Sequence, residues 1–254
     1  MYPLFKKIKG KLLRHYQNKV LGLFNSTNIE TYGHCNRECN FCFNNNSFPN
    51  RDKGIMKEEV YYKIIDELSD INYAGRISPY FYGEPLLDKR LEKFISYARK
   101  KCPYACIRVN SNGDYLTEKL LKKLIKNGLD KVLVTNYDNL EKKDILKLSQ
   151  KYPNHVIYRT VKDMHIANRA GALFDKENKK IDEVCLRPSN QLVVNWKGNV
   201  LLCCNDYYEK YVFGNVKDEP ILKIWNNDKF KKYREILKMK GGRKKINICK
   251  NCDF

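Results

Sequence analysis

Three cysteines stand within eight residues in the stretch HCNRECNFC, and they constrain this chain more than any other feature. Cys35, Cys39 and Cys42 follow the spacing C-x3-C-x2-C, which wraps a short loop around one centre. Zinc sites and ordinary iron–sulfur sites usually take four protein ligands. A set of three predicts a metal centre with one position left for a small molecule. A zinc knuckle is the alternative, but His34, the nearest further ligand, belongs to the preceding strand.

The ten cysteines of the chain also indicate its compartment. The basic segment before residue 25 lacks the continuous apolar block and the small-residue cleavage site of a secretory signal. We therefore expect a cytoplasmic, reducing environment, in which metal binding or catalysis explains cysteines better than disulfides do. No apolar run reaches the 18 residues of a membrane-spanning helix.

The charge balance is strongly basic, with 49 Lys and Arg against 29 Asp and Glu and a net charge of +20. Because no recognition motif accompanies this charge, we expect no nucleic-acid partner. Residues 4–24 place apolar side chains at helical spacing with Lys and Arg between them. This helix either packs on the domain or lies on an anionic membrane as a peripheral contact.

The rhythm of predicted elements changes near residue 170. Before it, strands alternate with helices of 10–15 residues, which predicts an α/β fold of parallel β/α units. After it, NQLVVNWKGNVLLCC predicts a β-hairpin with its turn at Lys197 and Gly198, and PILKIWNNDKFKKYREILK predicts one helix. The predicted division is an amphipathic helix in 1–27, a β/α domain in 28–170 and a small domain in 171–254.

Two further segments lie at predicted strand ends, where parallel β/α folds place their chemistry. FYGEP contains Tyr82, Gly83 and Glu84, and VNSNGD contains polar side chains suited to bind a ribose or a carboxylate. The polar side chains of VNSNGD are those of Asn110, Ser111 and Asn112. With the cysteine triplet before them, these segments resemble the radical S-adenosylmethionine (radical SAM) superfamily.

The resemblance implies a partial (β/α)6 TIM-like barrel that binds S-adenosyl-L-methionine on a [4Fe–4S] cluster held by the three cysteines. It places Phe41 near the adenine and the backbone at Gly83 and Glu84 near the methionine amine of the cofactor. An electron from a flavodoxin- or ferredoxin-type donor would then yield a 5′-deoxyadenosyl radical, which abstracts a hydrogen atom from substrate.

A second set of four cysteines occupies the C-terminal part of the chain, and its spacing allows one saturated site. The set is Cys185, Cys203, Cys249 and Cys252. A structural zinc ion is the alternative, because C-x2-C is also a zinc half-site. The arrangement resembles the twitch domain, the shorter relative of the SPASM domain, which implies an auxiliary [4Fe–4S] cluster.

Within that family, the chain resembles members that oxidise a secondary alcohol of an aminocyclitol to a ketone. The resemblance implies substrate contacts at Tyr82 and Arg169. It breaks after Cys203, where a Phe and a Glu are replaced by Cys204 and Asn205. Oxidation of a sugar or aminocyclitol is the main hypothesis. Epimerisation with Cys204 as hydrogen donor, peptide modification, and a non-enzymatic zinc- or cluster-stabilised binding module are the alternatives.

Overall fold

The computed structural model describes residues 2–42, 44, 52–138, 140–163, 166–173 and 181–253, with side chains from residue 8 onward except at 163. The α-helices in the described residues are α1 (Tyr2–Lys19), α2 (Glu58–Asp70), α3 (Leu91–Lys101), α4 (Glu118–Lys126), α5 (Lys143–Lys151), α6 (Arg187–Asn190), α7 (Ile221–Asn226), α8 (Asp228–Lys238) and α9 (Asn247–Lys250). Among the described residues, no helix combines the length and apolarity needed to cross a membrane.

One open sheet of eight strands organises the described chain. The strands are β1 (Ser26–Ile29), β2 (Arg76–Ser78), β3 (Cys106–Ser111), β4 (Lys131–Asn136), β5 (Val156–Thr160), β6 (Gln191–Val194), β7 (Asn199–Leu201) and β8 (Val212–Asn215). Their order is β5-β4-β3-β2-β1-β6-β7-β8, and the first six strands in this order are parallel to one another. The predicted α/β fold with a partial, unclosed barrel is confirmed, and its sixth parallel strand is the first strand of the predicted hairpin.

Helices cover the convex face of the sheet because their apolar side chains recur at helical spacing. On α2 and α3 the buried positions follow the i, i+3, i+4 pattern, and Tyr61 stacks on Phe94 with ring centroids 4.2 Å apart. Strand β3 alternates in the complementary way. Ile107 and Val109 are fully buried, whereas Arg108 and its same-face neighbours are half-buried on the concave side. The concave side is therefore the polar one.

The C-terminal region differs from the prediction in two elements. The predicted hairpin gains a third strand, β8, which pairs antiparallel with β7. The single helix predicted over 220–238 is wrong, because it divides at Asn227. Asn227 has extended backbone (φ −66°, ψ 152°), and its side chain caps α8 by accepting a hydrogen bond from the Phe230 N–H.

Helix α1 packs through a polar face. Gly10 lies against the Tyr104 carbonyl, and the buried Gln17 amide donates to the Ile71 and Asn72 carbonyls. The apolar stripe points outward instead: Leu12 is 67% exposed, and Ile8, Tyr16 and Val20 are also exposed. Helix α1 thus packs on the domain and still presents an unpartnered apolar face.

Candidate active site

A cavity of about 520 Å³ opens at the carboxyl ends of the parallel strands. It brings together the three cysteines of the first set, the FYGEP segment, Asn110, Ser111 and Asn112. Phe41 and Arg169 also line it, whereas the second set of cysteines does not. Distant segments meet here because parallel strands deliver all their carboxyl-end loops to one edge of the sheet.

The FYGEP segment is fastened to the backbone that precedes the cysteine loop. The Glu84 N–H donates to the His34 carbonyl at 2.9 Å. A Cβ atom built on Gly83 would lie 2.1 Å from the Tyr32 carbonyl oxygen, so no other residue fits there without a backbone shift. The close approach that requires glycine is therefore to the chain itself.

Glu84 joins the ends of β2 and β3 from a buried position. Its carboxylate accepts hydrogen bonds from the Leu86 N–H (3.0 Å), the Ser111 hydroxyl (2.8 Å) and the Asn112 N–H (2.8 Å). Burial raises the pKa of Glu84, and the same three donors oppose that shift. Both oxygens are occupied, so this carboxylate supports the cavity wall.

The polar wall above the cysteines leaves one acceptor open. Asn110 Oδ1 is buried and, among the described residues, has no hydrogen-bond partner. Asn112 instead donates to Asn36 Oδ1 at 2.9 Å and lies 3.8 Å from the Cys35 sulfur. In the same cavity, Phe41 packs beside Tyr137 with ring centroids 5.3 Å apart. A hydroxyl donor and a planar apolar group, the two parts of a nucleoside, match these surfaces.

The thiols of the first set lie in surroundings that suit a cationic cluster. Burial raises the pKa of Cys35, and it raises that of Cys39 to about 11, with further contributions from the neighbouring cysteines. Three thiolates together would repel one another unless iron compensated their charge. Among the described residues, no three His, Cys, Asp or Glu side chains meet the spacing of a single metal ion. A cluster binds each thiolate at a separate iron and does not require that spacing.

Sequence reasoning missed a charged network that holds the cysteine loop. Arg37 donates to both oxygens of Asp114 (2.5 and 2.6 Å) and to both oxygens of Asp138 (2.7 and 2.8 Å). These two acids follow β3 and β4, so one guanidinium connects three loops. The hydrogen bonds that Arg37 donates to Asp138 and, to a lesser extent, to Asp114 raise the Arg37 pKa.

The far side of the cavity carries two more arginines. Arg169 has left-handed backbone (φ 53°), and its guanidinium lies 3.4 Å from Asn205 Oδ1. Arg159 also lines the cavity and donates through Nε to the Thr135 hydroxyl at 2.9 Å. Sequence reasoning missed Arg159, although its place at the end of β5 was a usable signal. Tyr82 donates to the Cys204 carbonyl at 2.9 Å.

The four cysteines of the second set line one small cavity next to Leu202 and Leu237. Burial raises the pKa of Cys203, and it raises that of Cys249 to about 12, again with contributions from neighbouring thiols. The Asn205 amide donates to the Cys252 sulfur at 3.2 Å. Four converging thiols, two of them desolvated by burial, fit a saturated cluster, and Asn205 connects that site with Arg169.

The remaining cysteines lie apart from both sets. The Cys204 sulfur accepts a hydrogen bond from Arg187 Nη1 at 2.6 Å, and Cys204 is absent from the described lining of the cavity. Cys102 is buried beneath α2, with its sulfur 3.8 Å from the Ile65 carbonyl. Cys106 lines a different cavity at the opposite end of the sheet.

Two family models match the chain. Residues 29–171 match the radical SAM superfamily, and residues 185–253 match SPASM, described as an iron–sulfur cluster-binding domain. The chain is also 38% identical over 237 residues to an S-adenosyl-L-methionine-dependent 2-deoxy-scyllo-inosamine dehydrogenase from Niallia circulans. That alignment covers 91% of this chain and 93% of the relative.

Solved structures give the same picture. BtrN in complex with AdoMet and 2-DOIA superposes with a TM-score of 0.83 at 36% identity, covering 91% of this chain and 94% of BtrN. BtrN in an open conformation gives a TM-score of 0.74 at 35% identity, covering 91% and 93%. The anSMEcpe structure with bound AdoMet gives 0.61 at 17% identity, covering 90% and 84%, a likeness in fold.

Proposed function

The chain belongs to the radical SAM superfamily and carries a SPASM-type iron–sulfur domain, and we propose that it oxidises a secondary alcohol of a sugar or aminocyclitol to a ketone. Membership makes it an enzyme, so the binding-module alternative is wrong. S-adenosyl-L-methionine, the [4Fe–4S] cluster that binds it and an auxiliary iron–sulfur site come with the two matched families. The domain limits at residues 27 and 170 remain part of the proposal.

One observation carries the choice of oxidation. In the cavity, Arg169 contacts Asn205, and Asn205 donates to the Cys252 sulfur of the second set. Oxidation of an alcohol needs an electron acceptor near the substrate carbon, whereas epimerisation needs a hydrogen-atom donor at that carbon, together with an electron and a proton that restore the donor afterwards. Two side-chain contacts, Arg169 to Asn205 and Asn205 to Cys252, connect the cavity with the second set. Such a connection suits transfer of an electron from the substrate, and therefore oxidation.

The residues of the first set have distinct proposed roles. Cys35, Cys39 and Cys42 would hold the cluster, and Asn110, with its open acceptor, would bind a ribose hydroxyl. Phe41 would pack against adenine. Bound together, the cofactor and the cluster would supply a carbon-centred radical, and the auxiliary cluster would supply the electron acceptor.

The substrate side is assigned to Arg169 and Tyr82, both of which line the cavity. An arginine stays charged at neutral pH, so Arg169 would hold a hydroxyl or stabilise an alkoxide and would not act as a base. Tyr82, whose hydroxyl donates a hydrogen bond to the Cys204 carbonyl, would form part of the cavity wall beside the substrate. A hydrogen-donor role for Cys204 remains a prediction and requires its sulfur to turn from Arg187.

Anaerobic turnover in D2O tests the proposal. The enzyme is supplied with S-adenosyl-L-methionine, reductant and a panel of aminocyclitols and nucleotide sugars, and mass spectrometry follows both 5′-deoxyadenosine and substrate. We expect a product lighter by two hydrogen atoms. Formation of an isomer with one carbon-bound deuterium would show epimerisation and contradict oxidation. Formation of 5′-deoxyadenosine without any change in the small molecules would indicate another substrate class, such as peptides.

The electron donor is proposed to be a flavodoxin- or ferredoxin-type protein in the cytoplasm. The net charge of +20 would attract an acidic partner. Turnover with flavodoxin should therefore fall as salt rises, whereas turnover with a small chemical reductant should change far less. Equal salt dependence of both reactions would contradict a charge-steered donor.

Peripheral membrane contact through α1 is proposed from its outward stripe. Leu12 and Val20 are 67% and 65% exposed, and Lys11 and Lys19 are exposed beside them. Apolar side chains next to cations suit an anionic bilayer. Flotation with anionic vesicles should be lost in the double variant Leu12→Ser and Val20→Ser but kept in Leu140→Ser, an exposed leucine elsewhere. Equal flotation of the wild type, the double variant and Leu140→Ser would exclude this contact.

A further inference from the structure

A second and larger cavity lies at the end of the sheet opposite the cysteines. We call it the basal cavity; its volume is about 820 Å³. Its floor consists of the first residues of five parallel strands, namely Ser26, Arg76, Cys106, Lys131 and Gln191. Helices α1 and α6 contribute the walls through Arg14 and Arg187. The proposed radical chemistry uses none of this surface.

The basal cavity is lined by cations without acids. Its lining contains no Asp or Glu among the described residues, and it collects five basic side chains from five elements. These are Arg14, Arg76, Arg108, Lys131 and Arg187. Arg187 has a partner in Cys204, but the other four form no ion pair with any described residue. The charges therefore face one another across the cavity.

Two of these guanidinium groups are also poorly solvated. The Nε atoms of Arg76 and Arg108 are buried and have no hydrogen-bond partner among the described residues, although Arg108 interacts with Tyr80. Burial lowers the pKa of Arg76, and the neighbouring Arg108 charge lowers it further. Desolvated like charges oppose folding unless an anion joins them, which separates this cavity from an ordinary solvated end of a barrel.

We propose that the basal cavity binds a small phosphate-bearing anion. Guanidinium groups donate in pairs to phosphate oxygens, and Arg76 and Arg108 line the cavity side by side without a described acid in its lining. The cations gather around one cavity of about 820 Å³, which favours a compact ligand over a nucleic-acid strand. The volume lies in the range of about 300–1,000 Å³ that is usual for small-molecule sites.

Gln191 favours an organic phosphate over the inorganic ion. Gln191 lines the same cavity, and its side-chain amide oxygen is buried and lacks a partner among the described residues. A phosphate group satisfies the arginines, and a hydroxyl of the same molecule would satisfy this oxygen. A sugar phosphate has both groups. Inorganic phosphate has no hydroxyl apart from those on phosphorus itself.

Calorimetry on the reconstituted holoprotein under anaerobic conditions tests this assignment. Inorganic phosphate, ribose 5-phosphate and neutral ribose are titrated separately at constant ionic strength. We expect one saturating site for the phosphates and no binding of ribose. Tighter binding of ribose 5-phosphate identifies an organic-phosphate site, and equal binding of both identifies a site for the phosphate group alone. Absence of saturation with either anion at about 10 mM would overturn the proposal.

Matched variants locate the binding. Arg14→Gln and Lys131→Gln remove cavity cations, and each should weaken phosphate binding about tenfold because a charge-assisted hydrogen bond is lost. Lys11→Gln on the same helix and Lys126→Gln before β4 remove exposed charges outside the cavity and should leave the affinity unchanged. Equal losses in all four variants would show general attraction to a basic protein and overturn the site. Thermal unfolding of each variant verifies that it is folded.

Discussion

The two sets of cysteines differ in how the chain assembles them. Cys35, Cys39 and Cys42 come from one loop, and this loop forms one side of a cavity of about 520 Å³. The second set comes from three separate segments, and its sulfurs lie next to Leu202 and Leu237 in a small cavity. A single loop leaves the opposite side of its metal centre free for a small molecule. Segments that converge from several directions enclose the metal centre that they hold.

This difference suits the different roles proposed for the two centres. A centre beside an open cavity binds and activates a ligand, whereas an enclosed centre with four thiolates exchanges electrons. Asn205 is the point where the two regions meet, since it contacts both Arg169 and Cys252. Substitutions in each region should therefore separate radical formation from oxidation.

The largest effect is expected from Cys35→Ala. Loss of one of three ligands removes the first cluster, so 5′-deoxyadenosine should fall to background, and the iron content should fall from about eight to about four per chain. Iron analysis and chromatography of the anaerobic reaction measure both. Cys102→Ala, a buried cysteine outside both sets, is the control. Undiminished 5′-deoxyadenosine in Cys35→Ala would refute the assignment of the open centre.

Cys252→Ala should affect the other half of the reaction. The first centre stays intact, so 5′-deoxyadenosine should still form, whereas the oxidised product should fall to background for want of an electron acceptor. The ratio of the two products, measured in one reaction, gives the result. The same control, Cys102→Ala, should keep the ratio of wild type. Normal oxidation in Cys252→Ala would remove the second set from the mechanism.

The sequence predicted what depends on local patterns. Cysteine spacing identified both sets, and the alternation of helical and strand segments gave the parallel β/α order. Strand β8 was missed because its four residues, VFGN, have no alternation of their own and form a strand by pairing with β7. The division at Asn227 was missed because the helical spacing of apolar residues continues across it.

The charged contacts around the site could not be predicted from the sequence for a different reason. Arg37 is separated from Asp114 by 77 residues and from Asp138 by 101. No local pattern indicates such a pair, because it forms when the sheet brings three loops to one edge. The orientation of α1 was equally hidden, since its buried Gln17 binds backbone groups that precede β2.

Asn205→Ala should have an intermediate effect. It removes the hydrogen bond to the Cys252 sulfur and the contact of Arg169, and loss of an outer partner of a metal ligand typically costs about 10–100-fold in activity. We expect about a tenfold loss of oxidised product with 5′-deoxyadenosine retained. The reduction potential of the second cluster should also fall, because an N–H donor to its sulfur is lost. Asn247→Ala on the exposed start of α9 is the control, and an unchanged potential would contradict the connection.

The smallest effect is expected from Arg37→Gln, and it should depend on pH. Burial raises the pKa of Asp114, but hydrogen bonds from Arg37, Lys142 and Asn36 lower it to well below its usual range. Arg37 likewise lowers the pKa of Asp138. A depressed folded-state pKa contributes stability above the unfolded pKa of about 3.9, and that contribution is lost as the pH falls through the folded value.

The substitution should therefore destabilise the apo-protein by about 1 kcal/mol at pH 7, since the network is partly exposed, and the difference from wild type should shrink below about pH 4. Thermal unfolding across this pH range measures it. Lys93→Gln breaks the more exposed Lys93–Glu58 pair and should cost less at pH 7. A cost for Arg37→Gln that persists unchanged in acid would mean that Arg37 supports the cysteine loop through packing, and the electrostatic account of this side of the open centre would be wrong.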